Sequence, residues 1–549
     1  MLKLIPLGGL GEIGLNMMVV EYGSTLFVID AGLMFPEDYM LGVDYVIPDL
    51  SYIKQNCRKV SGIVLTHAHE DHIGALPYLL KEVNVPVFGT PFTLGIVRHK
   101  LEEHELLTPA ALHEIHPNER LKIGPFELEF IRVNHSVVDG IGLAVRTPVG
   151  MIIHTGDFKI SYSASEDRMT DVSRFAQYGE EGVLALLSDS TNVEKEGYTD
   201  SDQQIGEALE QAIIGRKGRI IVALFASNVH RIQQIVDIAS KMGRKIIFNG
   251  RSIEISVRLA KSYNYLHIPD KMEIDIDQLD DYADDEIIMI TTGSQGEPMS
   301  ALARMAAGAH KQIKIKTDDT VILSSKFIPG NEKAITSIIN NLYRRGADVI
   351  YEKISKIHVS GHAFREELKL MISLTRPKFF MPIHGEYRHL VLHTRLAQSM
   401  GIAKDRLILA QNGQCINISK DQMMIQDLAI AGRVLIDGKG IGDVGRSVLK
   451  ERRMLSEDGL VVVNMAFDEE TGIIIYGPEI VSRGFVFETE TGHLVDDAQC
   501  VILELVDEVA PDVPNRVHVI RTKLQTALRQ YFFFAIGRRP VILPFIIEV

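Results

Sequence analysis

The stretch "THAHEDHIGA", residues 66–75, sets three histidines and two acids in positions 67–72, directly after the apolar run Gly62-Ile63-Val64-Leu65. That run reads as a strand, and on extended backbone His67 and His69, two residues apart, point to the same side. Asp71 and His72 open "DHIGALPYLLKEV", whose apolar spacing predicts a helix; a turn there aims both side chains back toward the histidine pair. An isolated histidine usually belongs to a core or a surface. Four ligand-type side chains at this spacing on a strand, loop and helix read as a metal site, and imidazole with carboxylate is the donor set that Zn²⁺ takes where thiolate is absent.

Four short side chains rarely complete two ions, so further ligands must come from distant segments. His135 in "FIRVNHSVVDG", Asp157 in "MIIHTGDF" and His384 in "FFMPIHGE" each follow an apolar strand, the position from which loops present functional groups. Asp157 also reads as a turn residue, and His154 competes with it. With the first four these make seven ligands, enough for two zinc ions that share one carboxylate. Cys57, Cys415 and Cys500 are widely spaced and form no CxxC pair, so neither a disulfide framework nor a thiolate zinc site is expected. The chain opens without a secretory segment and has no apolar run of roughly 18 residues, so a cytoplasmic protein that does not enter the membrane is expected.

The length of 549 residues predicts several domains in an α/β chain. Up to about residue 160, short strands rich in Val, Ile and Phe alternate with glycine turns and favour stacked sheets. From residue 203, "QQIGEALEQAII", "RIIVALFA", "NVHRIQQIVDIASKMG" and "KIIFNG" alternate helix with buried strand, which predicts a parallel sheet. Strands return after residue 363, and a compact αβ tail follows from about 450. The net charge of −14, from 58 basic and 72 acidic residues, would ordinarily disfavour nucleic acid. Charge acts locally, however: residues 204–262 carry ten Lys and Arg against four Asp and Glu, and residues 304–361 carry ten against five. Gly9-x-Gly11-x-x-Gly14 looks like a dinucleotide motif, but strands follow it where the long helix of such a site is required. A glycine hairpin beside the metals is expected instead.

The pattern His67-x-His69-x-Asp71-His72 with His135, Asp157 and His384 resembles the metallo-β-lactamase fold, and Asp30 in "VIDAG" matches its structural motif. His69 stands where the di-iron oxidoreductases of that fold usually carry Glu, which favours a zinc hydrolase. Between Asp157 and His384 lie "LLSDST" with Asp189 and "HVSGHA" with His362; with "PIHGE" these resemble the extra motifs of the β-CASP nucleases. The histidine at 384 is typical of members acting on RNA. "LGGLGEIGLN", "GLMFPE", "TTGSQGEP" and the closing "GRRPVILPFIIEV" extend the resemblance, specifically to ribonuclease J, from end to end.

The resemblance implies a metallo-β-lactamase αββα sandwich in two parts, residues 1–202 and 363–446. A parallel-sheet β-CASP domain is inserted at 203–362, and a linker with a small αβ C-terminal domain covers 447–549. It implies a ribonuclease of RNA maturation and mRNA decay, with 5′-to-3′ exonuclease activity on 5′-monophosphate RNA and endonuclease activity. One Zn²⁺ falls to His67, His69 and His135 and another to Asp71, His72 and His384, bridged by Asp157, with Mn²⁺ or Mg²⁺ as substitutes. Two such ions activate a hydroxide for in-line attack. Asp71, Asp189 and His362 are implied as catalytic, the last two as the acid/base pair; His362 also reads as a substrate donor that transfers no proton. His358, Val359, Ser360, Gly361 and His362 are implied to bind the nucleotide phosphate. Ser227 and Asn228 read either as phosphate contacts at a helix start or as plain N-caps. Phe35 reads first as a core residue and second as a base-stacking platform. Gly42, Asp44 and Asp437 match a Ca²⁺ site of some family members. Single-stranded RNA is the expected partner, with other RNA-decay proteins and with self-association, as dimer or tetramer, through the C-terminal domain. A small-molecule metallohydrolase on the same fold and a non-cleaving RNA-decay subunit are the competing functions.

Overall fold

In a computed structural model, the described residues are 1–549 apart from 162–168, 298, 326, 328–330, 353–356, 358, 439, 469–470, 487–492 and 512. His358 therefore lies outside the described residues. The chain divides into two compact units, Met1–Phe35 with Val46–Val434, and Pro36–Tyr45 with Leu435–Val549.

In the first unit, among the described residues, an eight-stranded and a six-stranded sheet face each other. Leu4, Val20, Phe27 and Ile416 of the first meet Phe126, Leu128, Leu143 and Leu187 of the second in one buried cluster. Side-chain alternation divides the strand Phe126–Arg132 between two cores. Phe126, Leu128 and Phe130 enter the sandwich, while Ile131 turns outward to the cluster that holds Phe175, Leu368 and Met371. These last three come from helices Val172–Glu181 and Arg365–Thr375. Helix Pro91–Glu103 packs on the eight-stranded sheet, against Val87–Gly89 and Leu112–Glu114. The architecture is helix, sheet, sheet, helix.

The inserted segment forms a five-stranded sheet. Its order is Lys245–Asn249, Ile287–Thr291, Ile220–Ala223, Thr320–Leu323 and Asp348–Ile350, with every pairing parallel. Its central strand, Ile-Ile-Val-Ala, is buried throughout, as expected for a parallel sheet covered on both faces. The glycine motif is β structure. Gly9, Gly11 and Gly14 have φ of 87°, 81° and 99°, Leu10–Gly11 pairs with Gly385–Glu386, and the strand Met17–Tyr22 follows.

One expectation needs correction. "DHIGALPYLLKEV" is two helices, Glu70–Ile73 and Leu76–Glu82. The Ala75 N–H donates to Ala31 O at 2.8 Å, and Pro77 has no N–H to continue the first helix.

Asp139 links three segments of this unit. Its carboxylate accepts from Thr90 Oγ1 and the Phe92 N–H, both at 2.8 Å, and from Tyr265 OH at 3.2 Å. Burial nevertheless pushes its acid up to about 7, against the hydrogen bonds that favour the charged form. The folded protein therefore keeps a proton that the unfolded chain loses near pH 4, so stability falls as pH rises from about 4 to 7 and is flat above. Across that window the thermal midpoint of wild type should fall relative to that of Asp139→Asn by the equivalent of about 1–3 kcal/mol. Parallel curves for the two proteins would remove Asp139 as the source.

In the second unit, Ile474–Arg483, Leu460–Phe467 and Val541–Glu548 form a sheet. Its inner face packs on helices Leu494–Asp507 and Arg516–Ile536 through Val461, Val463, Ile502, Leu524 and Ile546. Among the described residues no helix is long and apolar enough to cross a membrane.

Candidate metal centre

The strands Gly150–His154, Val183–Asp189 and Phe379–Ile383 are parallel neighbours, so their carboxyl ends fall at one edge. That edge presents Asp157, Asp189 and His384. The loop after Val60–Val64 brings His67 and His69, the turn Glu70–Ile73 brings Asp71 and His72, and the loop after Phe126–Arg132 brings His135.

Nδ1 of His69 lies 3.1 Å from His67 Nε2 and 3.2 Å from His135 Nε2. Around a tetrahedral ion with Zn–N of about 2.0 Å, ligand atoms stand roughly 3.3 Å apart, so these contacts have the spacing of a coordination shell. In a second group, His72 Nε2 is 3.6 Å from Asp71 Oδ2 and 3.2 Å from Asp157 Oδ2. His384 Nε2 is 3.4 and 3.5 Å from the same two oxygens. Asp157 Oδ2 also lies 3.7 Å from His67 Nε2 and 3.9 Å from His135 Nε2, which makes it the atom common to both groups. His154 turns away: its Nδ1 accepts the Gly156 N–H at 3.1 Å.

The surroundings prepare the ligand nitrogens. His72 Nδ1 donates to Asp30 Oδ2 at 2.7 Å, and Asp30 also accepts from Thr66 N at 2.7 Å and Thr66 Oγ1 at 2.8 Å. His384 Nδ1 meets Thr191 Oγ1 at 2.7 Å, and His135 Nδ1 donates to Gly361 O at 2.8 Å. In each case the far nitrogen, Nε2, is the one turned toward the site. Asp30 and His384 adopt φ of 62° and 53°, uncommon for residues with a Cβ and frequent where function fixes the backbone. Gly361 has to be glycine, since a Cβ there would stand 2.6 Å from the His135 ring.

Burial drives His67 and His135 well below the usual histidine range, and neighbouring imidazoles add to it. It takes His69 down to about 4 although Asp71 pulls the other way. These three are therefore neutral, the form a metal binds. Burial also opposes charge on His72 and His384, but nearby carboxylates outweigh it, holding His72 well above its range and His384 up at about 9. Among the described residues, the ion pairs of Asp30, Asp71, Asp157 and Asp189 are all to imidazoles, with no Lys or Arg. Buried carboxylates whose partners are imidazoles, with no Lys or Arg among them, make a donor set that fits metal binding.

Beside this centre, Asp189 Oδ2 accepts from His362 Nδ1 at 2.8 Å, and its Oδ1 accepts from Thr191 N and Oγ1 at 2.9 and 2.8 Å. Burial would lower His362, but the charges of Asp189 and Asp157 raise it above its ordinary value. The His362 ring stands 4.9 Å from that of His135 and 5.3 Å from that of His384. Val359 and Ser360 lead into this segment.

Several backbone donors at the helix starts Val229–Met242 and Arg365–Thr375 are already engaged within the protein. Asn228 caps Val229–Met242 through Oδ1, which accepts the Arg231 N–H at 3.1 Å, and the Val229 N–H donates to Ser227 O at 2.9 Å. At Arg365–Thr375, the N–H groups of Arg365 and Glu366 donate to Lys195 O and Gly197 O at 2.9 and 3.1 Å, and that of Phe364 to Glu367 Oε2 at 2.8 Å. The Ser227 and Ser360 hydroxyls and the Asn228 amide nitrogen add side-chain donors at these segments. Phe35 is 62% exposed, so the core reading of it is corrected.

The calcium reading does not fit. Gly42, Asp44 and Asp437 do lie near one another, but Arg452 pairs with Asp437 and donates to Leu41 O at 2.9 Å. A Cβ on Gly42 would stand 2.7 Å from the same guanidinium, and Asp44 Oδ2 accepts the Gly438 N–H at 2.7 Å. The cationic role is filled by a side chain, and a second cation there would be repelled.

Asn16, Thr66, Thr191 and Asn192 support the centre and were not singled out from sequence. Asn16 ends "LGGLGEIGLN", Thr191 and Asn192 end "LLSDSTN", and Thr66 opens "THAHEDHIGA", but nothing in their spacing separates them from turn residues.

Residues 10–185 match the metallo-beta-lactamase superfamily and 217–342 the ribonuclease J beta-CASP domain. Residues 346–405 match the Zn-dependent metallo-hydrolase RNA specificity domain, and 447–549 the ribonuclease J C-terminal domain. The chain is 42% identical to "Ribonuclease J 1" of Streptococcus pyogenes serotype M3, covering 98% of this chain and 96% of that one. It is 39% identical to "Ribonuclease J2" of Bacillus subtilis, covering 100% and 98%. A crystal structure of a protein of unknown function from Enterococcus faecalis V583 shares the fold over 76% of this chain and 99% of that one, with a TM-score of 0.53 at 16% identity.

Proposed function

The chain belongs to the ribonuclease J family and is a metal-dependent ribonuclease, and we propose that it removes nucleotides from the 5′ end of single-stranded RNA, prefers a 5′-monophosphate, and also cuts internally. The observation that carries this reading is one carboxylate oxygen, Asp157 Oδ2, common to two groups of ligand atoms, with the Asp189–His362 pair beside both. In this reading His67, His69 and His135 would hold one Zn²⁺ and Asp71, His72 and His384 the other, with Asp157 available to both groups and Mn²⁺ or Mg²⁺ able to substitute. When bound, such ions supply a nucleophile at neutral pH and polarise the phosphodiester.

The chain's own groups do the rest. His362, whose protonated form Asp189 favours, gives a proton to the leaving 3′-oxygen, and Asp71 steadies the attacking side. Ser227, Asn228 and the segment from His358 to His362 take the terminal phosphate. The basic stretches track the backbone, so binding weakens with salt, and the exposed ring of Phe35 offers a base-stacking surface. Self-association through the C-terminal unit is supported by Leu543, Phe545 and Ile547, which alternate on one strand and are 41%, 59% and 61% exposed. RNA maturation and decay in the cytoplasm, with other decay proteins, is the setting we infer.

The test compares RNAs carrying a 5′-monophosphate, 5′-triphosphate or 5′-hydroxyl, with and without chelator, followed by product sizing. Mononucleotides should appear at least about tenfold faster from the monophosphate, as one charge-assisted phosphate contact alone would give, and cease with chelator. Equal rates from all three ends would overturn the 5′ preference. Binding without cleavage under any metal would favour a decay subunit, and no action on RNA a small-molecule hydrolase.

A further inference from the structure

We infer that Asn192 is a positioning residue that fixes the Ser360 hydroxyl as a hydrogen-bond donor toward a phosphate oxygen of the RNA end. The inference rests on the reading of residues 358–362 as the phosphate site, and adds to it the residue that sets the polarity of that site. Asn192 follows Asp189 by three positions and is 8% exposed. Its amide reaches across 168 residues of sequence to Ser360, with Nδ2 2.6 Å from Ser360 Oγ, and also stands 3.1 Å from the His362 carbonyl oxygen.

That second contact fixes the chemistry of the first. A carbonyl oxygen only accepts, so the atom facing it is the amide nitrogen, and the same nitrogen must donate to Ser360. Ser360 Oγ also accepts the His362 N–H at 3.3 Å. A hydroxyl oxygen has two lone pairs and one hydrogen. Both lone pairs are engaged, and the hydrogen is left to donate, with no acceptor for it among the described residues. A phosphate oxygen accepts and cannot donate, so the two match. By holding the His362 carbonyl with its other hydrogen, Asn192 also ties this donor to the acid/base histidine. The neighbouring backbone is fixed independently: the Ala363 N–H donates to Phe158 O at 2.6 Å, and Ile357 O accepts from Ser324 Oγ at 2.8 Å.

The experiment uses the full chain with Ser360→Ala, Asn192→Ala, Asn192→Asp and the double variant Asn192→Asp/Ser360→Ala. The readouts are calorimetric binding of adenosine 5′-monophosphate against adenosine, and thermal midpoints to confirm folding. Ser360→Ala should reduce the preference for the phosphorylated nucleoside about tenfold, the worth of one hydrogen bond to a charged group. Asn192→Ala, which frees the hydroxyl to turn, should cost about threefold. Asn192→Asp presents only acceptors, captures the Ser360 hydrogen, and should cost about tenfold or more despite its nearly unchanged shape. Combined with Ser360→Ala it should add nothing further. If Ser360→Ala lowers the preference but Asn192→Asp is milder than Asn192→Ala, or its effect persists in the double variant, the polarity inference falls while the phosphate site stands. If Ser360→Ala leaves the preference unchanged, both fall.

Discussion

Asp157→Ala should leave the purified protein without its full complement of metal and lower RNA cleavage on the order of 10⁴-fold or more at neutral pH. The expectation follows from one atom. Asp157 Oδ2 lies 3.2 and 3.5 Å from the nitrogens of His72 and His384, and 3.7 and 3.9 Å from those of His67 and His135, so its loss opens both ligand groups. His69→Ala, by contrast, removes a ligand from one group only. Bound ions bring the pKa of water down to about 7, and without them the nucleophile is scarce at pH 7. Elemental analysis of wild type, Asp157→Ala, Asp157→Asn and His69→Ala, beside their cleavage rates, checks this. Two ions per chain should fall to one in His69→Ala and toward none in Asp157→Ala, and Asp157→Asn, which keeps the side chain's volume, guards against unfolding as the cause. Two ions retained in Asp157→Ala would sink the shared-ligand assignment.

The legible part of this centre is local or lies at strand ends. His67, His69, Asp71 and His72 are neighbours in the chain, so spacing alone places them. His135, Asp157 and His384 are ligand types just past apolar runs, and parallel pairing of the strands before Asp157, Asp189 and His384 brings those runs to one edge. The supporting shell is different. Thr191 meets His384 across 193 residues and Asn192 meets Ser360 across 168, while Thr and Asn after an Asp are ordinary turn composition. The helix starts mislead for a related reason: "FASN" and "SGHAF" have the composition of anion-binding termini, but several of their backbone donors are consumed by Ser227, Asn228, Lys195, Gly197 and Glu367. Which N–H groups remain is decided by packing. The break at Gly74 and Ala75 has the same origin, since it depends on Ala31 accepting a hydrogen bond that the helical pattern assigns elsewhere.

His362 separates proton transfer from mere binding, and its replacement should lower kcat about 10²–10⁴-fold, the range for losing a positioned general acid, with metal content unchanged. Its Nδ1 is committed to Asp189 Oδ2 at 2.8 Å, so Nε2 is the nitrogen left for substrate. The charges of Asp189 and Asp157 hold the ring above its ordinary pKa against the effect of burial, which favours the protonated form that a general acid needs. Asp189→Asn should therefore lower kcat as well. Because the two act as one unit, the double variant should be little worse than His362→Ala alone. A residue that only holds substrate gives another pattern, with KM raised, kcat nearly preserved, and His362→Gln restoring much of the loss because an amide still donates a hydrogen bond. Steady-state kinetics on a 5′-monophosphate RNA decide between them. Rescue by His362→Gln would assign His362 to substrate binding and leave the leaving oxygen to take its proton from solvent.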